Sequence, residues 1–220
     1  KVVGNDHVGG FAGYVKGGEI NQCDNHVNES IDGNDRVGGF AGYAIGNLKN
    51  LEDNILISNI LNQVLSINGV NHIGGFVGIN ENGYKIQNVE SVIDKISQNE
   101  IDQNEIDQNN LKARVGGFIS SVQSSNDGEY RVYYDNINNI VNDIDISKSN
   151  SAKYAAGFVG YIIINDESHL DIQFSKIKSL SGLSLNPSSF KDDRYGGFIG
   201  YVKMSSKLDF LIQDVFSWGD

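Results

Sequence analysis

Six times along the chain a short pattern returns: a small or apolar stretch ending in Gly, a Phe, an apolar residue, and in five copies another Gly. The copies are Val8-Gly9-Gly10-Phe11-Ala12-Gly13-Tyr14, Val37-Gly38-Gly39-Phe40-Ala41-Gly42-Tyr43, Ile73-Gly74-Gly75-Phe76-Val77-Gly78-Ile79, Val115-Gly116-Gly117-Phe118-Ile119-Ser120-Ser121, Ala155-Ala156-Gly157-Phe158-Val159-Gly160-Tyr161 and Tyr195-Gly196-Gly197-Phe198-Ile199-Gly200-Tyr201. Successive Phe residues stand 29, 36, 42, 40 and 40 positions apart. A fixed block inside units of variable length predicts a structural rung, with loops of free length between rungs.

Read as a strand, the block places Gly9, Phe11 and Gly13 on one face and Val8, Gly10, Ala12 and Tyr14 on the other. Neither face is polar, so the strand is expected to be covered on both sides. Gly weakens a strand, and its recurrence needs a close approach of backbone or ring to explain it. Rungs stacked at about 4.8 Å would line Phe11, Phe40, Phe76, Phe118, Phe158 and Phe198 into a ladder. The ladder is either core or a platform on which a ligand stacks.

The position before each block holds His7, Arg36, His72, Arg114, Tyr154 and Arg194. Strand alternation puts it on the face of the Phe. Like charges on adjacent rungs repel unless Asp6, Asp35 and Asp193 compensate. Two readings follow. The row is a solvated ladder whose stems cover the rings, or it binds an anionic glycan or a partner's carboxylates.

Between blocks, a short turn is followed by alternating stretches such as Lys85-Ile86-Gln87-Asn88-Val89 and Leu170-Asp171-Ile172-Gln173-Phe174. A third extended piece follows in most units, as in residues 137–146 and 177–185. Three strands per unit suit one coil of a parallel β-helix. Residues 48–65 mix periodicities, and strand is favoured there over a short helix. Residues 96–110 read ISQNE-IDQNE-IDQNN, with Ile96, Ile101 and Ile106 five apart. That period fits neither helix nor strand, so a projecting polar loop is expected.

Composition narrows the functional classes. The net charge is −11, and no basic stripe is available to neutralise phosphates, which argues against nucleic acid and anionic membrane. No apolar run approaches the length of a membrane span. Cys23 is the sole cysteine and Pro187 the sole proline. An intramolecular disulfide, a cysteine zinc site and a collagen-like fold are thereby excluded. Thr is absent, which argues against the flat Thr arrays of ice-binding solenoids. The opening at Lys1 suggests a segment of a larger protein, with any targeting signal outside it.

The six blocks resemble the GLUG repeat, whose core is Val-Gly-Gly-Leu-Val-Gly. Phe stands here where that repeat has Leu, and only the first interval has the family's short spacing. The fourth copy also ends in Ser120-Ser121. GLUG repeats occur in large bacterial surface proteins, including adhesins, filamentous-haemagglutinin-like exoproteins and some immunoglobulin A peptidases. The resemblance implies a binding or scaffolding role outside any catalytic domain.

Residues for chemistry are sparse. His7, His26, His72 and His169 are dispersed without metal-ligand spacing, and the glycine-rich block lacks the Lys and Ser of a phosphate loop. Cys23 and His26 are close in sequence but lack a positioned third group. A β-helix polysaccharide lyase or hydrolase needs clustered carboxylates; its candidates are Asp143, Asp145, Asp171, Asp192, Asp193 and Asp209. An Asn/Asp-rich turn could also hold Ca2+, the one cofactor in prospect.

These readings combine into one expectation. The chain is an all-β, single-domain, right-handed parallel β-helix (β-solenoid) of about six coils over residues 1–220, with residues 210–218 capping one end. It is expected to act without catalysis as a secreted or bacterial cell-surface adhesin or fibre segment. Its partners would be a surface glycan or protein of a host or sibling cell, or further copies joined end to end. The alternatives are the lyase or hydrolase, and a stalk that spaces a distal domain.

Overall fold

The computed structural model describes residues 1–46, 55–82, 84–99, 113–124, 128–146, 153–164, 168–184, 194–203 and 208–218. After a two-residue strand β1 (Val2–Val3), each repeat unit gives two short strands and one long one. The first coil is β2 (Asp6–Gly9), β3 (Ala12–Lys16) and β4 (Glu19–Asp32), and the second is β5 (Asp35–Gly38), β6 (Ala41–Ile45) and β7 (Ile55–Gly69). The third is β8 (His72–Gly74), β9 (Val77–Glu81) and β10 (Tyr84–Gln98), and the fourth β11 (Ala113–Gly116), β12 (Ile119–Gln123) and β13 (Gly128–Asp145). The fifth is β14 (Lys153–Ala156), β15 (Val159–Ile163) and β16 (Ser168–Ser184), and the sixth β17 (Arg194–Gly196), β18 (Ile199–Lys203) and β19 (Leu208–Trp218).

Every strand pairs in parallel with its counterpart one coil away. The result is three sheets: a long sheet β1-β4-β7-β10-β13-β16-β19 and two six-stranded sheets of short strands. The chain is an all-β parallel β-helix.

The repeated block is not one strand. It bends at Gly-Phe, leaving its first half in one short sheet and its second half in the other. At the bend the backbones of successive coils nearly touch. A Cβ on Gly39 would lie 2.1 Å from the Gly75 carbonyl oxygen, and one on Gly75 would lie 2.0 Å from that of Gly117. Only a hydrogen fits there, which accounts for the Gly before Phe in the first five copies; Gly197 of the last coil has no such neighbour. The fifth rung carries Ala156 one position earlier, and nothing in its surroundings explains that exception. Beyond the bend the Phe rings turn inward. From Phe11 to Phe198 their centroids are 4.7, 4.9, 4.9, 4.8 and 5.0 Å apart, with planes within 11° of parallel. The rings thus repeat at the rung spacing as one parallel stack.

The interior holds two apolar columns. One contains the Phe stack, the inward residues of β6, β9, β12 and β15, and Ile57, Ile86, Tyr134 and Phe174 from the first half of the long strands. The other packs Val37, Ile73 and Val115 against Val64, Ile93 and Ile144 from the second half. A polar spine separates them. Asn25, Asn62, Ser91, Asn139, Ser179 and Ser217 occupy one register column of the long sheet. The spine grips the bend: Asn25 Nδ2 donates to the Gly39 carbonyl at 2.9 Å, Asn62 Nδ2 to Gly75 at 3.1 Å, and Ser179 Oγ to Gly157 at 3.0 Å. Buried polar groups are tolerable when paired in this way. A second cross-core link joins Asn80 Nδ2 to the fully buried Tyr134 hydroxyl at 2.7 Å.

Four expectations need correction. The second and third extended pieces are one continuous strand in each coil, while the block supplies two strands. A residue of left-handed conformation marks the middle of each long strand: Gln22, Asn59, Asn88, Asn136, Lys176 and Asp214, with φ between 53° and 57°. Pairing skips this residue and resumes one position later in the same register, so the six residues fall level with one another from coil to coil. The polar loop does not begin at 96: Ile96 is fully buried in β10 and pairs with Ile67 and Ile144. Residues 100–110 lie outside the described residues. Nor do the final aromatics form a cap, since Phe216 and Trp218 project from the outer face of β19 while Phe210 packs on the core. Within 48–65, residues from Ile55 are strand and 48–54 lie outside the described residues.

Candidate functional site

The His/Arg row enters each coil just before the bend. It therefore projects from the outer surface while Phe points inward, and the two do not share a face. His7 and Arg36 adopt left-handed backbone conformations, φ 53° and 51°. The rings beside the row are the Tyr residues that end the block, not the Phe ladder. Arg36 lies 5.7 Å from the Tyr43 ring centre, and His7 stacks on Tyr43 at 5.2 Å. Ser121 replaces Tyr in the fourth copy, and Arg114 lies over Tyr161 of the next coil at 4.4 Å. Tyr154 continues the column, stacked against Tyr161 at 4.9 Å and Tyr201 at 5.0 Å.

The charges of the row close on one another. Arg36 Nη1 donates to Asp6 Oδ1 at 2.8 Å and lies 3.1 Å from Asp35 Oδ2. His72 Nδ1 is 2.7 Å from Asp35 Oδ1, and Arg114 Nη1 is 2.8 Å from His72 Nε2. Guanidinium can only donate, so His72 Nε2 must accept and the imidazole is neutral with its proton on Nδ1. Burial pushes the His72 pKa down, in agreement, and Arg114 adds to the effect. For Asp35, burial pushes upward, but the hydrogen bond from His72 and the positive field beside it outweigh burial and bring the carboxyl down to about 2. The relay Asp6–Arg36–Asp35–His72–Arg114 thus holds two carboxylates and two guanidiniums around a neutral imidazole, and its formal charge cancels. It spans the first four coils. Arg194 is exposed in the sixth.

Beside the relay lies a cluster that periodicity did not reveal. Glu81 is buried and accepts hydrogen bonds from Tyr43 Oη and from Gln123 Nε2 at 2.7 Å, binding the second, third and fourth coils. Burial, followed by the Glu81 bond, raises the Tyr43 pKa. The signal was faint: one acid in a register column that otherwise reads Lys16, Ile45, Gln123, Ile163 and Lys203.

The residues considered for chemistry lie apart. Cys23 packs against the core, whereas His26 is exposed on the opposite face of β4. Lys95 sits 3.2 Å from both Asp143 and Asp145. Asp171 is 3.9 Å from Arg131, and Asp209 is 2.9 Å from His169. Asp192 and Asp193 lie outside the described residues, as do most of the Asn/Asp-rich turns considered for Ca2+. Among the described residues, no three His, Cys, Asp or Glu side chains converge as metal ligands. No helix among them is long and apolar enough to cross a membrane.

Comparison with known family models, curated proteins and solved structures returns no match for the chain.

Proposed function

We propose that this chain is a non-catalytic segment of a secreted or cell-surface protein, an adhesin or fibre module that offers its outer faces to a partner. One observation carries the reading: Arg36, His72 and Arg114 of the outward row are closed with Asp6 and Asp35 into one relay that runs from coil to coil. Their chemistry joins coils, which is the work of a scaffold. The resemblance of the rungs to the GLUG repeat points the same way, toward bacterial surface proteins. A stalk that only spaces a distal domain draws on the same self-paired row, and binding separates the two readings.

The test is incubation of the purified chain with neutral and anionic polysaccharides and with whole cells. Retention without release of reducing or unsaturated ends is expected. Product release would put the lyase or hydrolase reading in its place, and no retention on any surface would leave the stalk.

A further inference from the structure

The outer face of the long sheet carries a feature the relay does not use. The left-handed residue in each long strand folds the sheet about a line parallel to the solenoid axis. Along that line runs a groove of about 600 Å³ spanning the first five coils. One wall is an amide ladder: Asn59 Nδ2 donates to Asn21 Oδ1 at 2.8 Å, Asn88 to Asn59 at 3.1 Å, and Asn136 to Asn88 at 2.8 Å. These bonds fix the amides in orientation. Each amide has two N–H groups and two lone pairs, so donors and acceptors remain for a ligand. They recur at the rung spacing, about 4.8 Å.

The other wall is the register column Asp24, Leu61, Glu90, Asn138 and Lys178. The groove's charges are Asp24 and Glu90 toward one end and Lys176 and Lys178 toward the other, and they cancel. In a chain of net charge −11, this strip is neutral. One rung past Lys178, beyond the end of the groove, the same column carries Phe216, which is 53% exposed, with Trp218 at 60% beside it on the same outward face. A second groove of about 380 Å³ runs parallel, where Asn142 Nδ2 donates to Asp94 Oδ1 at 2.8 Å.

We propose that the axial groove binds an extended, uncharged polysaccharide, with sugar hydroxyls on the Asn59, Asn88 and Asn136 amides and a sugar face on Phe216. Fixed amides exchange hydrogen bonds with hydroxyls, and an exposed ring covers the C–H face of a sugar. The cancelled charge leaves a polyanion nothing to gain. A peptide strand is disfavoured because the long strands lining the groove pair with each other along its length, leaving no backbone edge to extend. The proposal rests on the non-catalytic binding reading above and adds the face and the ligand class.

The test is retention of the whole chain on cellulose, chitin, dextran and β-1,3-glucan, with alginate as the polyanion. Asn88→Gly and Asn136→Gly remove the amides and keep a residue suited to positive φ; Phe216→Ser removes the platform at an exposed site. Binding of at least one neutral glycan, undiminished in high salt, is expected. The double Asn variant and the Phe variant should each weaken it by about tenfold with unchanged circular dichroism. Retention on none of the neutral glycans, or equal retention by all variants, overturns the proposal. So does preference for alginate, or a peptide partner lost in the same variants. Whole-cell binding that survives those failures leaves the adhesin reading standing and removes only the groove.

Discussion

At the scale of single residues, two positions show how a small change meets the whole stack. Gly75 faces the Gly117 carbonyl, where backbone cannot yield as a side chain could. Gly75→Ala is expected to cost about 3 kcal/mol, the upper range for overpacking, read as a lower urea midpoint. His72 gives a pH signature. Its pKa is depressed in the folded state, so as pH falls below about 6.5 the unfolded chain takes up a proton that the folded chain resists, and stability falls. Asp35 acts in the same direction at lower pH, between its ordinary range and about 2, and contributes about 2 kcal/mol that acid removes. Urea midpoints should decline from pH 8 to pH 5, and His72→Gln should flatten that decline while leaving the drop at lower pH. A flat wild-type profile over that range would contradict the neutral assignment of His72.

At the scale of elements, the spine is what apolar patterning hides. Asn62 accepts from Asn25 at 2.7 Å and donates to both Gly75 O and Ser91 Oγ at 3.1 Å, within the interior. Asn62→Ala strands those partners and should cost about 2 kcal/mol or more by chemical denaturation. Asn62→Asp should be at least as damaging, since a carboxylate cannot donate to the Gly75 carbonyl. The parallel stacking was legible because a block that recurs over unequal intervals can be reconciled only by rungs in register. The bend inside the block was not. Strand alternation assigned Phe11 and His7 to one face, but the two lie on either side of a backbone turn that only coil-to-coil contact reveals. The long strands were also misread: Asn136 stands between the two extended pieces expected in its unit and does take a left-handed conformation, yet the ladder only skips that residue and resumes in the same register at Ile137. Ile96 was grouped with Ile101 and Ile106 by spacing, although its burial in β10 aligns it with Ile67 and Ile144. The His/Arg row was visible by position, but Glu81 and the closure of the relay depend on residues from different units.

At the scale of the whole molecule, each coil touches chiefly its neighbours, so the cost of a change depends on where it falls. Phe118 is fully buried between two rings, whereas Phe11 has one face open and is 48% exposed. Phe118→Ala should cost about 3–5 kcal/mol and Phe11→Ala much less, a contrast that thermal melts of the two variants measure directly. The same geometry separates two sides of the molecule. The short-sheet side, with its relay and Tyr column, joins coils, and the long-sheet side has the grooves. The claim most open to contradiction is that the charged row is a clasp and not a binding site. Thermal melting of Arg36→Gln beside wild type tests it most directly, because the substitution leaves Asp6 and Asp35 close together without their shared cation. The account predicts a loss of about 1–2 kcal/mol, a fall of a few degrees in Tm, and no change in retention on cells or glycans. An unchanged melt accompanied by lost retention would show that the row faces a partner after all.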